Sequence, residues 1–231
     1  MDNKLLKAFP DESRSRILPW LKLVDLPLGK VIYDSGQKVS NVYFPIDSII
    51  SLLYIMEDGS SAEISVVGNE GMVGIAVFMG GESTPNRTIV QSSGHAYQLP
   101  ASLLREEFNK MQVIRMMLLR YTQTLIAQMA QTAVCNRHHS IDQQLCRWLL
   151  LSLDRLPTNN LTMTQELIAN MLGVRREGVT EAAGKLQDIG VITYKRGHIT
   201  VVNREKLEEL CCECYEVVKS ETDRLDSYFT S

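Results

Sequence analysis

The chain has 231 residues, 45% of them apolar and 22% charged, with a formal charge of −3 and an isoelectric point near 5.9. That balance excludes a disordered or collagen-like chain, and the net acidity means that any affinity for nucleic acid must come from a local basic patch. The length suits two domains better than one.

Residues 1–24 carry short helical patterns, and their opening, MDNKLLKAFPDESRSRIL, has no apolar core of a secretory signal. The most apolar stretch, Val113 to Leu119, is broken by Arg115 and stopped by Arg120, so no membrane span is expected. Five cysteines, an odd number without a secretory signal, suit a reducing compartment, and the expected location is the cytoplasm.

From Pro27 the texture turns to short β-branched runs. The pattern predicts strands over 30–34, 41–44, 48–56, 61–67, 87–92 and 95–99, separated by turn residues at Ser35-Gly36, Pro45, Asp58-Gly59, Gly68-Asn69 and Pro85-Asn86. Nothing between them is long enough for a βαβ crossover, so residues 1–110 are expected to close into a jelly-roll-like β-barrel.

After Pro100 the pattern is helical, and from Met111 to Val134 apolar residues occupy nearly every side, which requires more than one packing partner. Ile114, Leu118, Tyr121, Leu125, Gln128 and Thr132 follow spacings of four and three and predict a seam for a second copy of the chain. Val113, Met117 and Ile126 are then left to face the barrel. Burial of the whole helix within one subunit is the competing reading. Asn136-Arg137-His138-His139-Ser140 interrupts the pattern, so 111–139 reads as a dimerisation helix and hinge. Ser140 and Gln143 make a capping box for the next helix, whose inward residues are Ile141, Leu145, Trp148, Leu149 and Leu153.

The C-terminal region, 140–231, holds the functional pattern. Thr162 and Gln165 predict a second capping box, Leu167, Ile168, Met171 and Leu172 a buried side, and Gly173 the helix end. Glu177 to Gln187 form the next helix, with Val179, Ala182, Ala183 and Leu186 inward, which gives helix-turn-helix spacing. VITYKRGHITVV then predicts a hairpin around Lys195-Arg196-Gly197. The second helix opens with Arg175, Arg176 and Glu177; arginine can pair bidentately with guanine and glutamate can accept from the cytosine amino group. On spacing alone, a merely structural helical hairpin is the alternative.

MTQELIANMLGVRREGVTEAAGKLQDIGVI resembles the C-terminal domain of the CRP/FNR family of bacterial regulators, and the order of β-roll, long helix and winged helix extends the likeness over nearly the whole chain. The resemblance implies an α+β protein with an N-terminal jelly-roll-like β-barrel of cyclic-nucleotide-binding type, a long dimerisation helix through Ile114, Leu118, Tyr121 and Leu125, and a C-terminal winged helix-turn-helix. It further implies a transcription regulator and not an enzyme, acting as a homodimer on an inverted repeat of double-stranded DNA, with RNA polymerase a candidate further partner. Arg176 and Glu177 match the pair that reads a G·C base pair in many members, and Thr164 and Gln165 match the helix start placed against phosphate. Arg175, Thr180, Lys185, Lys195 and Arg196 complete the expected DNA-facing set. Glu181 departs from the pattern: it stands where a second base-reading arginine is usual, and a carboxylate cannot donate to guanine.

Members that bind a cyclic nucleotide use a Gly-Glu pair for the ribose and an Arg-Ser or Arg-Thr pair for the phosphate. Arg87-Thr88 match the latter, but Gly74 is followed by Ile75 where the glutamate should stand. The effector is therefore unknown or absent, a cyclic-nucleotide-responsive or thiol-redox-responsive regulator being the alternative. Iron–sulfur members use an N-terminal cysteine group, and this chain has no cysteine before Cys135. Leu207, Leu210, Cys211, Cys214 and Val218 form one helical stripe, so packing accounts for Cys211 and Cys214, while Cys212 points elsewhere and leaves a thiol or metal role open. His138 and His139 are neighbours that point apart, which suits a hinge or cap. A catalytic barrel of cupin type needs several inward histidines, and only His95 lies in that stretch. No cofactor and no metal are expected.

Overall fold

The computed structural model describes residues 2–230. Two short helices, α1 (Lys4–Lys7) and α2 (Asp11–Ile17), precede seven strands: β1 (Lys22–Leu26), β2 (Val31–Tyr33), β3 (Asn41–Pro45), β4 (Ile49–Ile55), β5 (Ser61–Val67), β6 (Arg87–Ser92) and β7 (Gly94–Pro100). They form two facing antiparallel sheets, ordered β1-β7-β3 and β2-β6-β4-β5. Alternation sets the inward face: in β3, Val42 and Phe44 are fully buried while Asn41 and Tyr43 are half-exposed. Phe9 of the N-terminal segment stacks edge-on against Phe44, closing the barrel's end with Leu5 and Leu6. The six predicted strands all form. β1 adds a seventh within a segment whose sequence suggests helix; it is a sheet edge paired only to β7, with Leu23 exposed, so its alternation carries little signal.

α3 (Ala101–Lys110) leads into α4 (Gln112–His138), which lies along the barrel. Here the structure corrects the expected seam. Ile114, Leu118, Tyr121 and Leu125 are buried against the barrel of their own chain, Tyr121 donating its hydroxyl to Met72 O at 2.6 Å, so these side chains cannot meet a second copy. Of the trio expected to face the barrel, Met117 turns inward, Ile126 is about half exposed at the rim of the barrel cavity, and Val113 is about half exposed instead. The two faces are exchanged because both have helical periodicity and both are apolar; spacing alone does not say which one the barrel takes. The helix also runs through Asn136 and Arg137, and the break falls at His139-Ser140.

α5 (Ile141–Leu153) begins at the expected Ser140–Gln143 capping box. It is followed by β8 (Asn160–Thr162), α6 (Gln165–Leu172), α7 (Arg176–Asp188), β9 (Ile192–Lys195), β10 (His198–Val201), α8 (Arg204–Leu210) and α9 (Cys214–Thr230). Trp148, Leu149, Ile168, Val179, Leu186 and Leu207 are the centre of a second core, and Ile49, Leu53 and Val66 of the barrel belong to it as well. Across the same junction Arg155 Nε meets Glu70 Oε1 at 2.7 Å, both side chains buried, and Gln91 accepts from Ser51 at 2.7 Å while donating to Ser152 at 3.1 Å. α9 leaves this core and returns along α4, placing Arg120 over the Tyr228 ring at 3.9 Å and joining Lys4 to Asp226 at 2.6 Å.

Candidate nucleic-acid interface

α6 starts at Thr164, whose hydroxyl accepts from Leu167 N at 3.2 Å. Thr162, expected to cap, instead lies in β8, where it pairs with His198 of β10. Gly173 ends α6 with φ of 66°, a left-handed conformation open to glycine at low cost, and the turn there lies against Ala62 of β5. α7 then starts at Arg176 with Arg175 as its N-cap, one residue ahead of the expected start, and both arginines are exposed together with Glu177. Thr180 Oγ1 donates to Gln165 Oε1 at 2.8 Å and ties the two helices together on their outer side.

β9 and β10 form the expected hairpin and add β8 as a third strand, outside the predicted elements because it is only three residues long. Its two-residue turn is Arg196-Gly197, with φ of 52° and 81°. A non-glycine residue at positive φ is uncommon, and Arg196 is held there by Met163 N donating to Gly197 O at 2.7 Å and by Tyr194 OH donating to Met163 O at 2.8 Å. The hairpin tip thus stands beside the start of α6. Thr164, Gln165, Glu166, Arg176, Tyr194 and Arg196 line an open concavity of about 490 Å³ between α6, α7 and the hairpin, two guanidinium groups against one carboxylate. Among the described residues Arg175, Arg176, Lys195 and Arg196 pair with no carboxylate, whereas Lys185 is held by Glu181 at 2.9 Å and Asp142 at 3.1 Å. Two helix N-termini and two unpaired guanidinium groups facing one concavity suit a phosphate backbone.

The barrel has a cavity of about 290 Å³ against α4, lined by Tyr33, Leu52, Met72, Ile75, Thr88 and Met129 among others. Thr88 is fully buried, and its hydroxyl, like the amide nitrogen of Asn86 beside it, has no partner among the described residues. Arg87 points the other way: its guanidinium pairs with Asp34 on the outer surface at 3.0 and 3.1 Å.

Comparison with known proteins matches residues 23–111 to the cyclic nucleotide-binding domain and residues 143–210 to the Crp-like helix-turn-helix domain. The chain belongs to the CRP/FNR family of DNA-binding transcriptional regulators. It is 20% identical to the global nitrogen regulator of Synechococcus elongatus over 90% of this chain and 97% of that one. It is 21% identical to the anaerobic regulatory protein of Aggregatibacter actinomycetemcomitans over 79% and 73%. Among solved structures, a CRP/FNR transcriptional regulator from Eubacterium rectale superposes with a TM-score of 0.70 at 18% identity, covering 89% of this chain and 96% of that one. FixK2 from Bradyrhizobium japonicum gives 0.69 at 16%, covering 83% and 98%.

Within this CRP/FNR fold the expected effector pair is split. Thr88 lines the cavity and Arg87 does not, because adjacent residues of a strand point to opposite faces and β6 turns Thr88 inward. Ile75, in the position of the missing glutamate, adds apolar surface to the same cavity. No helix of the described chain is long and apolar enough to cross a membrane.

The cysteines depart most from expectation. The stripe through Leu207, Cys211, Cys214 and Val218 does not exist as one helix, since α8 ends at Leu210 and α9 begins at Cys214. The intervening turn directs Cys212 inward together with Cys214, and both meet Cys135 and His139 at the end of α4. His139 turns inward and His138 outward, as neighbours should. The grouping was invisible in the sequence because 77 residues separate Cys135 from Cys212; the Cys-x-x-x-His spacing at 135–139, one helical turn, is the signal that could have found half of it.

Proposed function

We propose that this regulator binds an inverted repeat as a homodimer, with the start of α7 in the major groove and the hairpin on the adjoining phosphates. The observation that carries this reading is the exposed, unpaired Arg175-Arg176 at the N-terminus of α7, beside the concavity shared with Arg196. Arg176 and Glu177 contact base edges; Thr164, Gln165, Lys195 and Arg196 contact phosphate, and Thr180 and Lys185 flank them.

The dimer seam follows from what α4 leaves open. Met116, Leu119, Gln123, Ile126, Ala130 and Ala133 are all exposed and spaced three and four apart, a heptad row that the barrel leaves open, with Ile126 at the rim of the barrel cavity. Pairing two such rows buries Met116, Leu119 and Ile126 of each copy, at roughly 1.5–3 kcal/mol for each side chain fully covered. A parallel pair places two recognition helices roughly 34 Å apart, one turn of the duplex. Selecting bound fragments from random DNA tests this: an inverted repeat is expected, and a single half-site bound equally well by a monomer in light scattering would overturn it.

The barrel cavity supports no cyclic-nucleotide response. Its polar groups are hydroxyls and an amide, with no cation to meet a phosphate and no carboxylate in place of Ile75 to accept from a ribose. Calorimetry with cyclic AMP should register no binding; tight binding abolished by Arg87→Ala would reverse this.

A further inference from the structure

Cys135 and His139 stand one helical turn apart at the end of α4, and Cys212 and Cys214 lie two apart in the turn between α8 and α9. The three sulfurs and one imidazole nitrogen all fall within 4.8 Å of one another. Cys135 Sγ is 3.6 Å from Cys212 Sγ, and Cys214 Sγ is 3.4 Å from His139 Nδ1. A tetrahedral ion with metal–sulfur bonds near 2.3 Å and a metal–nitrogen bond near 2.0–2.1 Å requires edges of roughly 3.4–3.8 Å between such atoms. Two of the six edges, Cys135–Cys212 and Cys214–His139, already have that length, and all six are short enough for small side-chain shifts to close the four atoms around one four-coordinate ion, whereas a multi-iron cluster would hold its ligand sulfurs further apart.

The surroundings have the chemistry of a metal's outer contacts. With Nδ1 facing the sulfurs, His139 Nε2 faces Glu213 Oε2 at 3.3 Å, the carboxylate–histidine arrangement that fixes the tautomer of a ligating imidazole. Gln131 Nε2 donates to Cys214 Sγ at 3.0 Å, a contact that suits a negatively charged sulfur. All three cysteines are buried, closed to exchange with solvent. Packing alone explains buried thiols but not an imidazole nitrogen turned onto one of them. A Cys135–Cys212 disulfide would use two of the four groups and leave Cys214 and His139 without a role.

We propose that Cys135, His139, Cys212 and Cys214 form a closed Cys3His site for one Zn2+ per chain. Thiolate donors and complete protein ligation select Zn2+ over Mg2+ or Ca2+ and mark the site as structural, without an open coordination position. Such an ion staples the hinge at His139 to the turn that follows the DNA-binding core, so it would fix how that core hangs from α4.

The test uses the full-length protein purified under reducing conditions. Elemental analysis should find one zinc per chain, and exchange for Co2+ should produce the thiolate-to-cobalt charge-transfer band with the intense visible absorption of a tetrahedral site. Cys212→Ser should lose the metal, while Cys211→Ser, changed in the same turn but outside the cluster, should keep it. Glu213→Gln should weaken retention by about tenfold. Because Cys212→Ser could fail to fold, His139→Cys is the second variant: it should retain the metal and strengthen the charge-transfer band by adding a fourth thiolate. Protein free of zinc whose Co2+ spectrum lacks the thiolate band would overturn the proposal. So would a Cys135–Cys212 disulfide found by mass spectrometry in the freshly purified chain, or undiminished metal in a folded Cys212→Ser variant.

Discussion

Lys185 Nζ lies 2.9 Å from Glu181 Oε1, one turn along the same face of α7, and its other contact is Asp142 at the start of α5. Where the resemblance to the family places a second base-reading cation, this helix presents an exposed carboxylate already engaged by a cation of its own helix. Glu181→Arg removes that partner and presents a donor to the groove. The preferred base at one position of each half-site should change in a selection experiment, toward guanine, whose O6 and N7 accept from arginine. An identical half-site from wild type and variant would mean that Glu181 does not reach the bases.

Arg176 and Arg196 should fail differently. Arg176→Ala removes the side chain proposed to read a base and should cost about 1–3 kcal/mol against the cognate site while relaxing preference at one base pair. Arg196→Gly keeps the positive-φ turn, since glycine adopts it freely, but deletes the cation. Binding to all sequences should then weaken alike, and the slope of log affinity against log salt should flatten by about one. Fluorescence anisotropy titrations at several salt concentrations separate the two patterns.

Leu118 and Leu119 are adjacent on α4 and should answer oppositely to the same change. Leu119 is 40% exposed on the open heptad row, so Leu119→Asp should give a folded monomer with weakened affinity for the inverted repeat. Leu118 is fully buried in the barrel core, so Leu118→Asp should abolish folding by burying an unpaired charge. Light scattering with circular dichroism distinguishes these results.

Glu63 gives the junction between barrel and DNA-binding core a pH dependence. It is buried beside Ser51, Arg147 and Trp148, next to a void of only about 20 Å³, and one of its carboxylate oxygens has no hydrogen-bond partner among the described residues. Burial pushes its pKa up to about 7, against a lowering by the Ser51 hydroxyl and the guanidinium groups of Arg147 and Arg155. The folded state therefore holds this proton where the unfolded chain, with a carboxylate near 4.5, has lost it. The resulting stability is present at low pH and is lost as pH rises from about 4.5 through about 7. Glu63→Gln removes the dependence: its advantage over wild type in denaturant melts should be negligible below that window and grow to the order of 3 kcal/mol above it. Equal stability of the two proteins at pH 8 would show that the Glu63 carboxyl is not strained by burial.

The strands with strong alternation, the capping box at Ser140 and the pair of helices around Gly173 were legible because each is decided by residues close in sequence. Arg175, Arg176 and Arg196 were legible for the same reason, since a helix start and a hairpin tip are exposed wherever the domain sits. The face of α4 was not. Ile114 and Leu119 are both apolar at helical spacing, and only the barrel, assembled from strands far away in sequence, decides which is covered. β1 failed for want of a second neighbour, and the cysteines because a turn after Leu210, weak in any local pattern, rotates Cys212 and Cys214 together toward the end of α4.

Ile49, Leu53 and Val66 contribute to the core of the DNA-binding region while standing on strands of the barrel. A fragment beginning at Ser140 would strip that core of Ile49, Leu53 and Val66 and leave Arg155 without Glu70. The protomer should consequently lose both halves in one cooperative melt, and the winged helix should resist isolation as a working module: truncation would remove not a neighbour but a wall.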